Sequence, residues 1–142
     1  VGCRSFRISK TGDEWKAELA YDNKVMINHH GGVVKFGDNL YGFSDGKGWT
    51  CQNFKTGEAV WQDKDKLGKG AILCADGLLL CRGEDKGTMV LIEATTSGLN
   101  EKGRFEQPDR TDKKAWPHPV IANGRLYLRD QDILLCYDVK AN

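Results

Sequence analysis

Apolar and polar residues alternate along most of this chain in short runs broken by glycine-rich turns. That is the period-two pattern of half-buried β-strands, not the helical period of about 3.6. Cys3, Phe6 and Ile8 lead to a turn at Lys10-Thr11-Gly12, and Trp15, Ala17 and Leu19 follow it. A connector over 22–27 carries the apolar piece Val25-Met26-Ile27. Four strands are then predicted: Val33 to Phe36, Leu40 to Phe43, Trp49 to Asn53 and Glu58 to Gln62. The plan repeats with Ala71 to Cys74, Leu78 to Cys81, Met89 to Glu93 and Gly103 to Glu106, after a longer turn at Thr96-Ser97-Gly98. It begins once more with Val120 to Ala122, Leu126 to Leu128 and Ile133 to Val139. Gly37-Asp38-Asn39, Asp76-Gly77 and Asn123-Gly124 carry the residues that tight hairpins need.

The runs recur in register. Leu40, Leu79 and Leu126 fall at equivalent places after their turns, as do Cys51, Val90 and, with one residue deleted, Cys136. Lys10-Thr11-Gly12-Asp13-Glu14-Trp15 echoes Lys55-Thr56-Gly57-Glu58-Ala59-Val60-Trp61 with one residue fewer, and Phe105 stands where Trp61 stood. Strand units repeating at about 40 to 45 residues are the signature of propeller blades. The expected fold is all-β: an arc of four-stranded antiparallel blades, two full (28–63, 69–107) and two partial (1–24, 116–142).

Length and charge narrow the function. At 142 residues the chain has room for one domain with a core. Lys+Arg number 21 against 20 Asp+Glu, so the basic excess that nucleic acid or a membrane surface requires is missing. No apolar run approaches the length of a membrane span. The chain opens Val1-Gly2-Cys3 without a methionine or a leader, as a processed product or an excerpt would. Cys3, Cys51, Cys74, Cys81 and Cys136 form no CxxC or vicinal pair; they read as small buried hydrophobes, with no zinc spacing. The charged run 107–115 reads as a solvated loop.

Cys51, Asn53, Thr56, Gly57 and Trp61 form a pattern: a small residue, an Asn or Asp two later, Thr-Gly, and a Trp four after the glycine. Thr11, Gly12 and Trp15 repeat it with one residue lost, and Cys136 with Asp138 starts a further copy. The pattern resembles the pyrroloquinoline-quinone-like β-propeller repeat. The run from Trp116 to Asp132 looks like a final blade of bacterial proteins in that group. The resemblance implies a ring of six to eight blades, of which this chain would be the C-terminal part, partnered by the remaining blades or other chains. It implies that Trp15 and Trp61 pack flat over neighbouring blades, and that the protein is exported to the periplasm or beyond.

Two functions follow from the resemblance. One is a non-catalytic module for binding or scaffolding, with no cofactor and no metal. The other is part of a quinoprotein dehydrogenase, holding pyrroloquinoline quinone and calcium. Such enzymes use calcium ligands, an Asp base, a tryptophan under the quinone and, in many, a disulfide between adjacent cysteines; no adjacent cysteines occur here, and Asp130-Gln131-Asp132 offers too few oxygens for calcium. No Ser-His-Asp order, P-loop or dinucleotide fingerprint is present, so no catalytic residue is assigned. Blade-opening segments line one mouth of a propeller's channel. Here those are His29-His30-Gly31, Lys69-Gly70 and Trp116-Pro117-His118, which makes His30, Lys69 and His118 the candidate site for a small ligand.

Overall fold

Two-residue turns dictate the topology. Asp76-Gly77 and Asn123-Gly124 have positive φ at both positions (49° and 75°, 51° and 71°). That is the backbone of a type I′ hairpin, whose twist matches the strands it joins. The computed structural model describes residues 2–140, in which the chain forms thirteen strands and no helix. Val1, Ala141 and Asn142, at the outer limits of the two partial stretches, lie outside the described residues.

The strands make four antiparallel sheets in chain order. The first is a ribbon of β1 (Cys3–Thr11) and β2 (Glu14–Asn23). The second is a meander of β3 (Val33–Phe36), β4 (Asn39–Ser44), β5 (Gly48–Asn53) and β6 (Ala59–Asp63). A third repeats it with β7 (Gly70–Ala75), β8 (Leu78–Gly83), β9 (Thr88–Glu93) and β10 (Asn100–Glu106). The fourth has β11 (Val120–Ala122), β12 (Arg125–Asp130) and β13 (Ile133–Asp138). Every neighbour in a sheet is also the neighbour in sequence, so each sheet needs only local closure.

Side-chain alternation gives the third sheet two apolar faces. Leu79, Cys81, Val90 and Ile92 pack with Tyr41, Trp49 and Cys51 of the second sheet. On the opposite face, Leu73, Leu80 and Met89 meet Leu126 and Leu128 of the fourth. Full burial of one such side chain stabilises by about 1.5–3 kcal/mol, so these two interfaces hold the sheets together. The first ribbon has no such cover. Phe6, Ile8, Trp15 and Leu19 are each more than half exposed. It is fixed at its base, where Asn23 Nδ2 donates to Gly57 O at 2.9 Å.

Hairpin registers define which residues are structurally equivalent, and they correct three sequence alignments. Leu40, Leu79 and Leu126 are equivalent as expected, each one residue past the first pair of its hairpin. Cys51 opposes Tyr41, Leu91 opposes Leu80 and Cys136 opposes Tyr127, so Leu91, not Val90, matches the two cysteines. Cys51 is buried whereas Cys136, on the edge strand β13, is exposed. The shared position is therefore not a buried thiol site in both copies.

The third and fourth strands carry the other two corrections. Each such pair contains a bulge that skips one residue of the outer strand: Ala20, Val60 and Lys102. The residue after each skip is Tyr21, Trp61 and Gly103, opposite Ser5, Cys51 and Leu91. Tyr21, not Trp15, is thus the counterpart of Trp61. Trp15 lies further out on the ribbon, 70% exposed, opposite Lys10, whose Nζ sits 5.5 Å above its ring. Its expected packing role is not met. Phe105 opposes Met89 and is likewise not at the Trp61 place, which Gly103 occupies.

Candidate functional site

Three segments that lead into first strands converge with the turns between second and third strands. The backbone makes the join. Ile72 N–H donates to Gly31 O at 3.0 Å, Glu84 N–H to Lys69 O at 2.8 Å, and Ala115 N–H to Glu84 O at 2.9 Å. Gly31 and Gly32 permit the approach. A Cβ on Gly31 would strike the Gly70 carbonyl, and one on Gly32, at φ 77°, would lie 2.7 Å from the His118 ring.

His30, Lys69 and His118 are brought into one polar seam, but each is already engaged. His118 Nε2 lies 2.9 Å from the His30 carbonyl; that oxygen can only accept, so Nε2–H donates and fixes the tautomer. His30 Nε2 is 2.8 Å from Glu84 Oε2, and the ring lies 5.5 Å from that of Trp116. Lys69 Nζ reaches Asp45 Oδ1 at 2.6 Å and donates to His29 Nδ1 at 3.0 Å.

Glu84 is the organiser that the sequence reading passed over. It is buried, contacts His30 on one oxygen and Lys114 Nζ on the other at 2.7 Å, and its backbone bonds both neighbouring segments. Glu84 and Asp85 hold the Lys114 ammonium above its ordinary range through hydrogen bonds and charge. A signal for Glu84 did exist. Asp45 occupies the same turn one sheet earlier and likewise pairs with a lysine, Lys69, on the segment leading to the next sheet. An acid in the second turn bridging to a lysine beyond is a repeated device.

Behind the seam lie two buried charges. Arg82 is fully buried and donates to Arg129 O at 2.7 Å, to Pro117 O at 3.3 Å and to Gln107 Oε1. Burial lowers its guanidinium pKa, partly offset by Asp130. Asp130, also fully buried, pairs with Arg110 at 3.1 Å and accepts from Thr111 N and Oγ1 at 3.0 Å each. These charges tie the third sheet to the fourth, with Arg82 Nε left buried without a hydrogen-bond partner.

The repeat-motif residues behave as turn formers. Asn53 Oδ1 accepts from Lys55 N at 2.9 Å and Thr56 N at 3.0 Å, and Gly57 closes the turn at φ 76°. Thr56 Oγ1 donates to Glu58 at 3.0 Å. Asp138, equivalent to Asn53 by register, accepts from Lys140 N at 3.1 Å. Trp61 is half-buried among the core residues of the second and third sheets and donates its indole N–H to Thr95 O at 2.8 Å.

A calcium ligand set does not fit the acids described above. Among the described residues no three His, Cys, Asp or Glu side chains group as a metal site would require. The oxygens of Asp130 are consumed by Arg110 and Thr111. Nor, among the described residues, does any helix have the length and apolarity to cross a membrane. No protein-family model matches this chain, and no curated protein matches it closely enough to count as a relative.

Proposed function

We propose that this chain is an arc of a β-propeller built from pyrroloquinoline-quinone-like repeats, acting as a non-catalytic binding or scaffolding module of an exported bacterial protein. One observation carries the reading. Successive meanders stack face to face in chain order, with the same outer-strand bulge in three sheets, at Ala20, Val60 and Lys102. Repeats that bury their faces only against neighbours are the physical logic of such arrays. The charged side chains of the polar seam pair with each other, which fits a structural join between blades better than catalysis.

The module's partners are further blades or other chains at its two ends. At one end the ribbon exposes Phe6, Ile8, Trp15 and Leu19; at the other Leu134 on edge strand β13 is 66% exposed. A small ligand would meet the seam at His30, Lys69 and His118. No quinone or calcium enters this reading.

Sedimentation of the chain tests it. Uncovered ends predict concentration-dependent association that Ile8→Lys with Leu134→Lys suppresses while strand content by circular dichroism is kept. A wild-type chain that stays monomeric and binds no hydrophobic dye would overturn the reading. Calcium-dependent dye reduction by the chain would equally contradict it.

A further inference from the structure

Between the second and third sheets, Trp61 packs against a core cluster that includes Tyr41 and Cys51 of its own sheet and Cys74, Leu79 and Ala94 of the next. Between the third and fourth sheets, Gly103 stands at the tryptophan's place, and its side-chain direction is open for 4 Å. There an apolar groove of about 340 Å³ opens between the sheets. Its walls include Leu80, Leu91, Ile121, Leu126 and Val139. By register these are the counterparts, in order, of those five members of the cluster that Trp61 packs against. The last pair follows from matching bonds past the strands, Ala94 N–H to Gly77 O and Val139 N–H to Gly124 O. The groove therefore repeats part of the Trp61 site without its indole, with Phe105, 5.1 Å from the Tyr137 ring, as an added aromatic wall. Its size also falls within the range of small-molecule sites, about 300–1,000 Å³.

We propose that the groove beside Gly103 binds a small planar aromatic molecule of indole size. The established interface one repeat earlier supplies the shape argument. It also supplies the polar one: Trp61 gives its N–H to Thr95 O, and Lys140, the next residue after Val139, stands at the Thr95 position. The ligand's ring N–H accordingly meets the Lys140 carbonyl, while its faces lie against Leu80 and Leu91 on one side and Ile121 on the other. Polar groups at the mouth come from Asp76 and from Arg104, which is held by Glu101 at 2.8 Å. The inference rests on strand registers and a cavity, not on what the polar seam does.

The probe is indole itself, titrated into the full chain by nuclear magnetic resonance. Saturable one-to-one binding is expected, with contacts from indole protons to the methyl groups of Leu80, Leu91 and Ile121. Gly103 has no positive φ and no neighbour where a Cβ would stand, so larger residues are accommodated there. Gly103→Trp should fill the groove and weaken indole by about tenfold or more, whereas Gly103→Ala should leave the affinity near wild type. No binding of indole, or binding unchanged in a folded Gly103→Trp variant, would overturn the proposal. Should that variant not fold, the wild-type methyl contacts decide: their presence supports the site and their absence sinks it.

Discussion

Trp61 donates its indole N–H to the carbonyl of Thr95 at 2.8 Å, which fastens the outer strand of one sheet to the turn of the next. Both parts of the contact are measurable. Trp61→Phe keeps a ring in the groove and loses the bond, at a cost of about 1 kcal/mol. Trp61→Ala also empties the groove and costs about 3 kcal/mol. Denaturant unfolding of the two variants separates them; equal losses would mean the ring does not pack as described.

The ribbon offers a paired comparison. Tyr21 lies against Gly57 of the second sheet, close enough that a Cβ there would strike its ring at 2.7 Å, while Trp15 is 70% exposed with Lys10 Nζ above its ring. Tyr21→Ala is expected to destabilise by about 1–3 kcal/mol, and Trp15→Ala to stay within about 0.5 kcal/mol. Thermal unfolding of both variants is the check. A larger loss at Trp15 would restore the sequence alignment and remove Tyr21 from its place.

In the polar seam, Glu84→Gln keeps the shape and removes the charge that faces His30 and Lys114. A buried hydrogen-bonded charge lost from such a pair costs about 1–3 kcal/mol. The same change should let the Lys114 ammonium pKa fall back toward its ordinary range, since Glu84 is the largest cause of its elevation. Resonance titration of the lysine side chain would show it. An unmoved Lys114 would mean that Asp85 alone sets its environment.

The thiols predict an alkaline limit. Burial pushes the Cys81 thiol well above its ordinary pKa, and raises Cys51 in the same direction. A raised folded pKa means the folded state holds its proton more tightly than the unfolded chain. The stabilisation is complete below the unfolded thiol value, about 8.5, and is lost as pH climbs through it toward the raised value. Stability measured from neutral to alkaline pH should fall over that window, and less steeply in Cys81→Val. In native protein an alkylating reagent should label exposed Cys136 and spare Cys51 and Cys81; fast labelling of Cys81 would contradict its burial.

Much of the topology was legible because turn chemistry is local. Asp76-Gly77 and Asn123-Gly124 announce positive φ at two successive residues, and few backbones other than a tight hairpin use that. Strand pairing followed from those turns. The bulges were not legible, and every misplaced equivalence involves a strand pair's alignment. The bulge follows six ladder pairs from the turn in β1–β2, one in β5–β6 and two in β9–β10, so the counterpart of Trp61 is Tyr21 rather than Trp15 and Gly103 rather than Phe105. Sequence spacing alone cannot show a residue left out of a ladder. His30, Lys69 and His118 share one seam because each precedes a first strand. Glu84 escaped because a lone acid in a charged turn looks solvated until its two neighbouring sheets close over it.

The crystal structure of the Gly103→Trp variant tests the repeat registers most directly. Superposing the second sheet on the third should bring the new indole onto that of Trp61, between Leu91 and Ile121, with its N–H on the Lys140 carbonyl. An indole turned to solvent, or a β9–β10 ladder whose register differs from that of β5–β6, would contradict the account.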